Sequence, residues 1–236
     1  MQQRTRNHNR GQAIAGLINS KGLGSGIMKV TQIEEVSKSR SRVYIDEEFA
    51  FVLYKGELRS FHIREGEEIS AEDYSSIMEE VLPRRAKLRA MNLLKSREYT
   101  VKQLHDKLRD GGYPEKITVQ ALDYVGSFHY TDDLRYAVSF IQNHEGNRSR
   151  RRIEQELLGK GIDRTVLEQA WAIWEEDGGC QDESAMIREL IEKKGFDREA
   201  ADQKERQRMY GFLMRKGFPA ELVRRAVLSD RDCSWE

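Results

Sequence analysis

The chain is predicted to be mainly α-helical: an elongated crescent of three tandem three-helix repeats, preceded by a small antiparallel β segment and a disordered N-terminal tail. Three observations predict this. The stretches QLHDKLRDGGYPEKITVQAL at 103–122, RIEQELLGKGIDRTVLEQAW at 152–171 and RMYGFLMRKGFPAELVRRAV at 208–227 repeat one pattern, the first two offset by 49 residues without a gap. Each copy carries the punctuation of helix, tight turn and helix. Upstream of them the hydrophobic period changes from that of a helix to that of a strand.

Within the copies Leu104, Ile153 and Met209 correspond, as do Leu108, Leu157 and Leu213, and then Gly112, Gly161 and Gly217. Thr100 and Ser149 stand where a hydroxyl can cap a helix, and Thr100 with Gln103 makes a capping box. The apolar positions four apart face one way, and the glycine ends the helix by taking the left-handed conformation of a C-terminal cap. Tyr113, Ile162 and Phe218 follow it and are expected to fold back onto the core. Pro114 and Pro219 at a first helical position, and Asp163 as an N-cap, then open the next helix. Pro83, Asp132–Asp133 and Asp182 mark the start of a leading helix in each unit, continued by Leu88 and Met91 or by Ala137 and Phe140. In the third unit seven extra residues near Lys193–Arg208 lengthen or break that leading helix at Gly195.

Between residues 29 and 69, Val43 and Ile45, then Phe49, Phe51 and Leu53, alternate with other residues, with turns expected at Asp46–Glu48 and Lys55–Gly56. Ser70 with Asp73 reads as a capping box opening a helix through Ile77, Met78 and Val81, and Pro83 separates it from the array. The expected divisions are a disordered basic tail at 1–27, a β-rich segment ending in a helix at 28–82, and repeats at 83–132, 133–181 and 182–236. The tail carries four basic and no acidic residues and a glycine-rich stretch, Gly22–Gly26. It reads as a solvated leader or as sequence preceding a start at Met28, with polyanion binding the other possibility. Its short, interrupted apolar run at Ala13–Ile18 does not suit a signal peptide.

Composition narrows the function. Only 38% of residues are hydrophobic and 34% are charged, which suits an extended, high-surface protein. No run is long enough to span a membrane. Cys180 and Cys233 form no paired motif, so a reducing, cytoplasmic setting is expected. Net charge is zero: residues 28–82 hold seven basic against thirteen acidic residues, and 83–236 hold 29 against 27. A uniformly basic nucleic-acid binder is not what this balance describes.

The five histidines lack the close spacing of a zinc site, no His-Glu-x-x-His occurs, and Gly22–Gly26 fits neither the Walker nor the Rossmann pattern of a phosphate loop. Asp132–Asp133 and Glu175–Glu176–Asp177 are helix-end residues rather than a carboxylate pair. Trp171 and Trp174, three apart, read as core. Basic clusters occur at Arg84–Arg85 with Lys87 and Arg89, at Arg148 with Arg150–Arg152, and at Arg224–Arg225. The second is the densest, and it opens a helix where the macrodipole disfavours positive charge. That placement favours a partner, while Glu154 and Glu156 allow a merely solvated face.

The string Val125–Gly126–Ser127–Phe128–His129–Tyr130–Thr131–Asp132–Asp133–Leu134–Arg135–Tyr136–Ala137, followed by Arg152 to Ile162, resembles the RecX family of bacterial regulatory proteins. The family pattern is a Gly-aromatic-x-Asp-Asp helix start leading to Ala, then Arg-Ile-x-x-Glu-Leu-x-x-Lys-Gly-Ile. Phe212–Phe218 is similar to the last repeat of that family and Leu104–Gly112 to its first, so the likeness covers about residues 83–228. It departs at Ile141–Gln142–Asn143–His144, where the family more often has a basic helix ending. The resemblance implies a non-enzymatic regulator of homologous recombination, DNA repair and the SOS response. Such a protein binds the filament of RecA recombinase on single-stranded DNA and modulates, usually inhibits, its ATP hydrolysis and strand exchange.

A curved array of similar faces suits a repeating partner and needs no active site or cofactor. Arg150, Arg151, Arg152, Lys160 and Lys216 are the expected contacts to the filament, with single- or double-stranded DNA reached through local basic patches. The protein is expected to be a monomer without membrane association. A stand-alone DNA-binding helical-repeat module is the alternative.

Overall fold

The structure, a computed structural model, describes residues 28–228. The expected disorder of residues 1–27 lies outside the described residues, as do the final positions of the third repeat. The chain divides into two compact units, parted between Val81 and Leu82.

The first unit is built on a four-stranded antiparallel sheet in the order β3-β2-β1-β4, with β1 at Met28–Ser37, β2 at Arg40–Ile45, β3 at Glu48–Tyr54 and β4 at Glu68–Ile69. Asp46 and Glu47, at φ 51° and 68°, make the two-residue hairpin turn between β2 and β3. Val30, Val43, Ile45, Phe51 and Leu53 are buried in the sheet, together with Ile63, Ile69 and Ile77 from the segments that follow.

Phe49 departs from the expected alternation and is exposed. Val43 pairs with Phe51 but Tyr44 with Phe49, so Ala50 is an unmatched residue that shifts the register. Lys55–Gly56, expected as a turn, instead begins the short helix α1 (Lys55–Ser60), where the Glu57 carboxylate accepts from the Tyr54 N–H at 2.7 Å.

Helix α2 (Ala71–Ser76) begins at Ser70, whose Oγ accepts from the Asp73 N–H at 3.0 Å. A π-helical turn follows at Ile77–Val81, then α3 at Leu82–Leu94. Helical turns run on from Ala71 to Leu94, so the division of the chain between Val81 and Leu82, next to the expected boundary at Pro83, is not marked by a break in the helix.

The second unit continues with α4 (Val101–Asp110), α5 (Glu115–Ser127), α6 (Asp133–His144), α7 (Arg150–Gly159), α8 (Arg164–Glu176), α9 (Glu183–Lys193), α10 (Gln203–Arg215) and α11 (Ala220–Val227). These form three tandem three-helix repeats in which the leading helix packs on the last, α3 on α5, α6 on α8 and α9 on α11. The expected core is in place. Leu104, Leu108, Ile117, Ile153, Leu157 and Leu213 are fully buried, each worth about 1.5–3 kcal/mol relative to exposure. Trp171 and Trp174 join Ala137, Ile141 and Ile153 in the second repeat's cluster. Leu88, expected on the core face of α3, is exposed, because Leu82, Ala86 and Ala90 take that face.

The glycine stops are complete Schellman motifs. Gly112, Gly161 and Gly217 have φ of 84°, 93° and 88°. The N–H of the next residue returns to the carbonyl five back, Tyr113 to Leu108, Ile162 to Leu157 and Phe218 to Leu213. Pro114 and Pro219 are N-caps with extended ψ of 154° and 134°, one position before the first helical residue expected for them. In the third repeat the leading helix ends at Lys193, and Gly195 at φ 62° breaks it as expected.

Candidate functional site

The repeats are joined by one bonding pattern used twice. Thr100 caps α4 by accepting from the Gln103 N–H, and its hydroxyl then donates at 2.6 Å to the carbonyl of Lys160, the last residue of the α7 cap. Ser149 does the same one repeat later, accepting from the Arg152 N–H and donating at 2.8 Å to the Lys216 carbonyl at the end of α10. A second bond accompanies each. Asp133, first residue of α6, accepts from the Val101 N–H at 2.9 Å, and Glu183, first residue of α9, accepts from the Arg150 N–H at 2.8 Å.

Both hydroxyls are buried, and both helix pairs meet negative end to positive end, the favourable arrangement of macrodipoles. No side chain fits at the turn. A Cβ on Gly161 would lie 2.3 Å from the Lys102 side chain, and one on Gly217 would lie 2.7 Å from the Ser149 hydroxyl. In α10 the position of Thr100 and Ser149 is taken by Glu205, which closes a capping box with Asp202 on the same helix. The burial of Asp133 raises its carboxyl pKa, against the lowering effect of the Val101 N–H.

The expected contact residues fall around these junctions. Arg150, Arg151 and Arg152 form the first turn of α7, beside the Lys216 backbone. Lys160 lies at the other end of the ten-residue helix, about 15 Å away at 1.5 Å per residue. Arg150 is held from several sides. Its guanidinium reaches Glu175 at 2.8 Å and Glu154 at 3.3 Å and lies over the Trp171 ring at 4.3 Å. Arg152 pairs with Glu156 at 2.8 Å, and Arg148 bonds the same carboxylate. Arg151 is exposed and makes no ion pair among the described residues. The Lys160 ammonium stands 5.5 Å from the Phe140 ring centre and that of Lys216 5.3 Å from Phe212. The dense arginine cluster is thus largely engaged within the protein.

A second cationic surface lies along α3. From Leu82 to Arg97 the chain has six basic residues and no acidic one. Arg84 and Lys87 share one stripe of α3 with Leu88 and Met91, opposite the buried positions, and Lys95, in the turn just past the helix end, continues it. None of the three cations makes an ion pair among the described residues. Lys87 stands 4.8 Å from the ring centre of Tyr124, near the end of α5. Tyr124 meets Phe128 edge-on at 5.2 Å, and Phe128 stacks with Tyr130 at 5.7 Å. Phe128 and Tyr130 are 53% and 50% exposed. His129 between them has φ 55°, so the turn sets alternate residues side by side. The signal in the sequence was the absence of acidic residues along α3, which a count of adjacent arginines passes over.

In the third repeat the extra residues border an open groove of about 490 Å³ lined by Lys194, Phe196, Asp197, Glu205, Arg208 and Phe212. Among the described residues no cluster of three His, Cys, Asp or Glu side chains is placed to hold a metal ion, and no helix is long and apolar enough to cross a membrane.

Fold and junctions together define a tandem helical-repeat protein built from three-helix units. Comparison with known proteins gives the family. Residues 86–124, 132–170 and 181–227 match the first, second and third three-helix domains of RecX. "Regulatory protein RecX" of Caldanaerobacter subterraneus subsp. tengcongensis is 31% identical over 202 residues, 85% of this chain and 98% of that protein. Its counterpart in Clostridioides difficile is 26% identical over 204 residues, 84% of this chain and 93% of that one. A crystal structure of regulatory protein RecX shares the fold at a TM-score of 0.53 and 21% identity, covering 83% of this chain and 97% of that one. The chain belongs to the RecX family of regulatory proteins.

Proposed function

We propose that this protein is a non-enzymatic regulator of homologous recombination and the SOS response. It binds the RecA–single-stranded-DNA filament and lowers its ATPase and strand-exchange activity. The observation that carries the reading is the junction. Thr100 and Ser149 join successive repeats through equivalent bonds to Lys160 and Lys216, so equivalent surfaces recur along the array. A partner that is itself periodic can be met by such a surface at more than one place.

Arg150, Arg151, Arg152, Lys160 and Lys216 remain the proposed filament contacts, and Arg151, which is exposed and has no ion pair among the described residues, is the most available of them. The protein acts as a cytoplasmic monomer and requires no cofactor. The test is to titrate it, from substoichiometric ratios upward, into RecA hydrolysing ATP on single-stranded DNA while filament length is followed. Both are expected to fall, and Arg151→Ala is expected to require several-fold more protein for the same effect with its helicity unchanged. Unaltered ATP hydrolysis and filament length at equimolar protein would overturn the reading.

A further inference from the structure

The exposed aromatic residues at the end of α5 have no structural duty that the repeat itself demands. At the corresponding places in the second repeat, 49 residues on, Tyr124, Phe128 and Tyr130 are replaced by Ile173, Asp177 and Gly179. The second repeat folds with the same helices and the same Schellman turn without them. Two large rings, each about half exposed, are held stacked at 21° between their planes by a left-handed residue. They form a preordered pair of flat apolar surfaces beside water.

Their surroundings supply a sign. Lys87 lies against Tyr124, and Arg84 and Lys95 continue the cationic stripe along α3, whose sequence from Leu82 to Arg97 contains no acidic residue. The acidic residues that follow Tyr130 are occupied as caps, Asp132 on the Arg135 N–H at 2.9 Å and Asp133 on the Val101 N–H at 2.9 Å. Exposed aromatic faces and cations that have no carboxylate partner among the described residues match the two halves of a nucleotide, base and phosphate. Sequence-independent single-strand binders combine these two features, because unpaired bases stack on rings while basic side chains follow the backbone. A duplex offers no free base face to the rings.

We propose that Phe128 and Tyr130, with Tyr124 behind them and Arg84, Lys87 and Lys95 along α3, form a binding surface for single-stranded DNA. Bases stack on the two exposed rings and phosphates run along the helix. The choice of DNA over RNA rests on the function proposed above; the stacking surface does not.

The experiment uses the full chain with no recombinase present, following the fluorescence anisotropy of a labelled twenty-nucleotide oligothymidylate. The protein is expected to bind it and to bind an abasic oligonucleotide of the same length at least tenfold more weakly. Affinity for oligothymidylate is expected to fall about fivefold or more for each of Phe128→Ala and Tyr130→Ala. The double variant is expected to bind the abasic strand as the parent does. Arg84→Gln with Lys87→Gln should weaken binding to both strands and flatten the salt dependence. Circular dichroism establishes that these surface variants are folded.

Absence of binding to oligothymidylate, or equal affinity of parent and aromatic variants, overturns the proposal. So does an aromatic variant that keeps its DNA affinity but loses its effect on the filament, which would make the rings a protein contact. Preference for oligouridylate over oligothymidylate would overturn the assignment to DNA. A protein that regulates the filament yet binds no free oligonucleotide leaves the regulator reading standing while this one falls.

Discussion

In the first turn of α7, Arg150 lies over Trp171 and is shared between Glu154 and Glu175, while Arg148 and Arg152 meet on Glu156. Along α3, Arg84, Lys87 and Lys95 have no carboxylate partner among the described residues. The denser cluster is the more neutralised one, and it opens the helix that carries a repeat junction. What separates the two segments is the acidic groups that folding brings to them. Three of the carboxylates around the α7 turn come from α7 and the end of α8, and Glu183 from α9 takes the Arg150 N–H. On the α3 stripe Lys87 meets the Tyr124 ring instead. Charge density in a sequence is therefore a poor measure of charge available to a partner.

The largest effect is expected from breaking the junction that holds the α7 turn. Gly217→Ala places a Cβ against the buried Ser149 hydroxyl at a backbone φ of 88°. A left-handed alanine costs about 1–2 kcal/mol and a disrupted buried hydrogen bond about 1 kcal/mol more, so a loss of about 2–3 kcal/mol is expected in urea unfolding. Gly178→Ala, at φ 87° with open space around it, should lose only the conformational part, about 1–2 kcal/mol. Equal losses would show that the contact with Ser149 contributes nothing.

A smaller effect distinguishes the two cationic segments directly. Arg150→Ala removes ion pairs and a ring contact that are about half exposed, and should lower stability by about 1 kcal/mol. Arg84→Ala, at an exposed position with no ion pair among the described residues, should stay within about 0.5 kcal/mol. Matching unfolding curves for the two variants would erase the contrast between structural and available arginines.

The smallest effect concerns pH at the first junction. Burial raises the folded-state pKa of Asp133 above the ordinary aspartate value. The folded protein thus binds this proton more readily than the unfolded chain. The resulting stability is full below the ordinary carboxylate range and is lost as pH rises through the raised pKa. Asp133→Asn, which keeps an acceptor for the Val101 N–H, should remove that slope from the pH dependence of the urea midpoint. An unchanged slope would assign it to other carboxylates.

Much of this was legible in the sequence. Thr100, Ser149, Asp132, Asp163 and Asp182 all cap the helices they were expected to cap, because capping is a bond between residues two or three apart. The glycine stops follow for the same reason. Misplacements occurred where packing or register intervened: Leu88 is exposed because Leu82, Ala86 and Ala90 take the buried face of α3, and Phe49 turns outward at a bulge. The candidate site was harder to read. Arg150–Arg152 stands out as a run and Glu154 lies within one turn of it, but two of the acceptors that engage Arg150, Glu175 and Glu183, lie 25 and 33 residues away.

By itself the sequence determined the repeat, the order of helices in the array, the caps and glycine stops that bound most of them, and most of the apolar residues of each core. Those are matters of periodicity and of bonds that close within a single turn. Only the tertiary structure decided that the Thr100 hydroxyl reaches Lys160 and the Ser149 hydroxyl Lys216, 60 and 67 residues on. It also decided which cations are neutralised and which rings stand beside those that are not. Hydrogen bonds and ion pairs act over a few ångströms of space, and proximity in space between repeats is created by folding rather than by spacing along the chain.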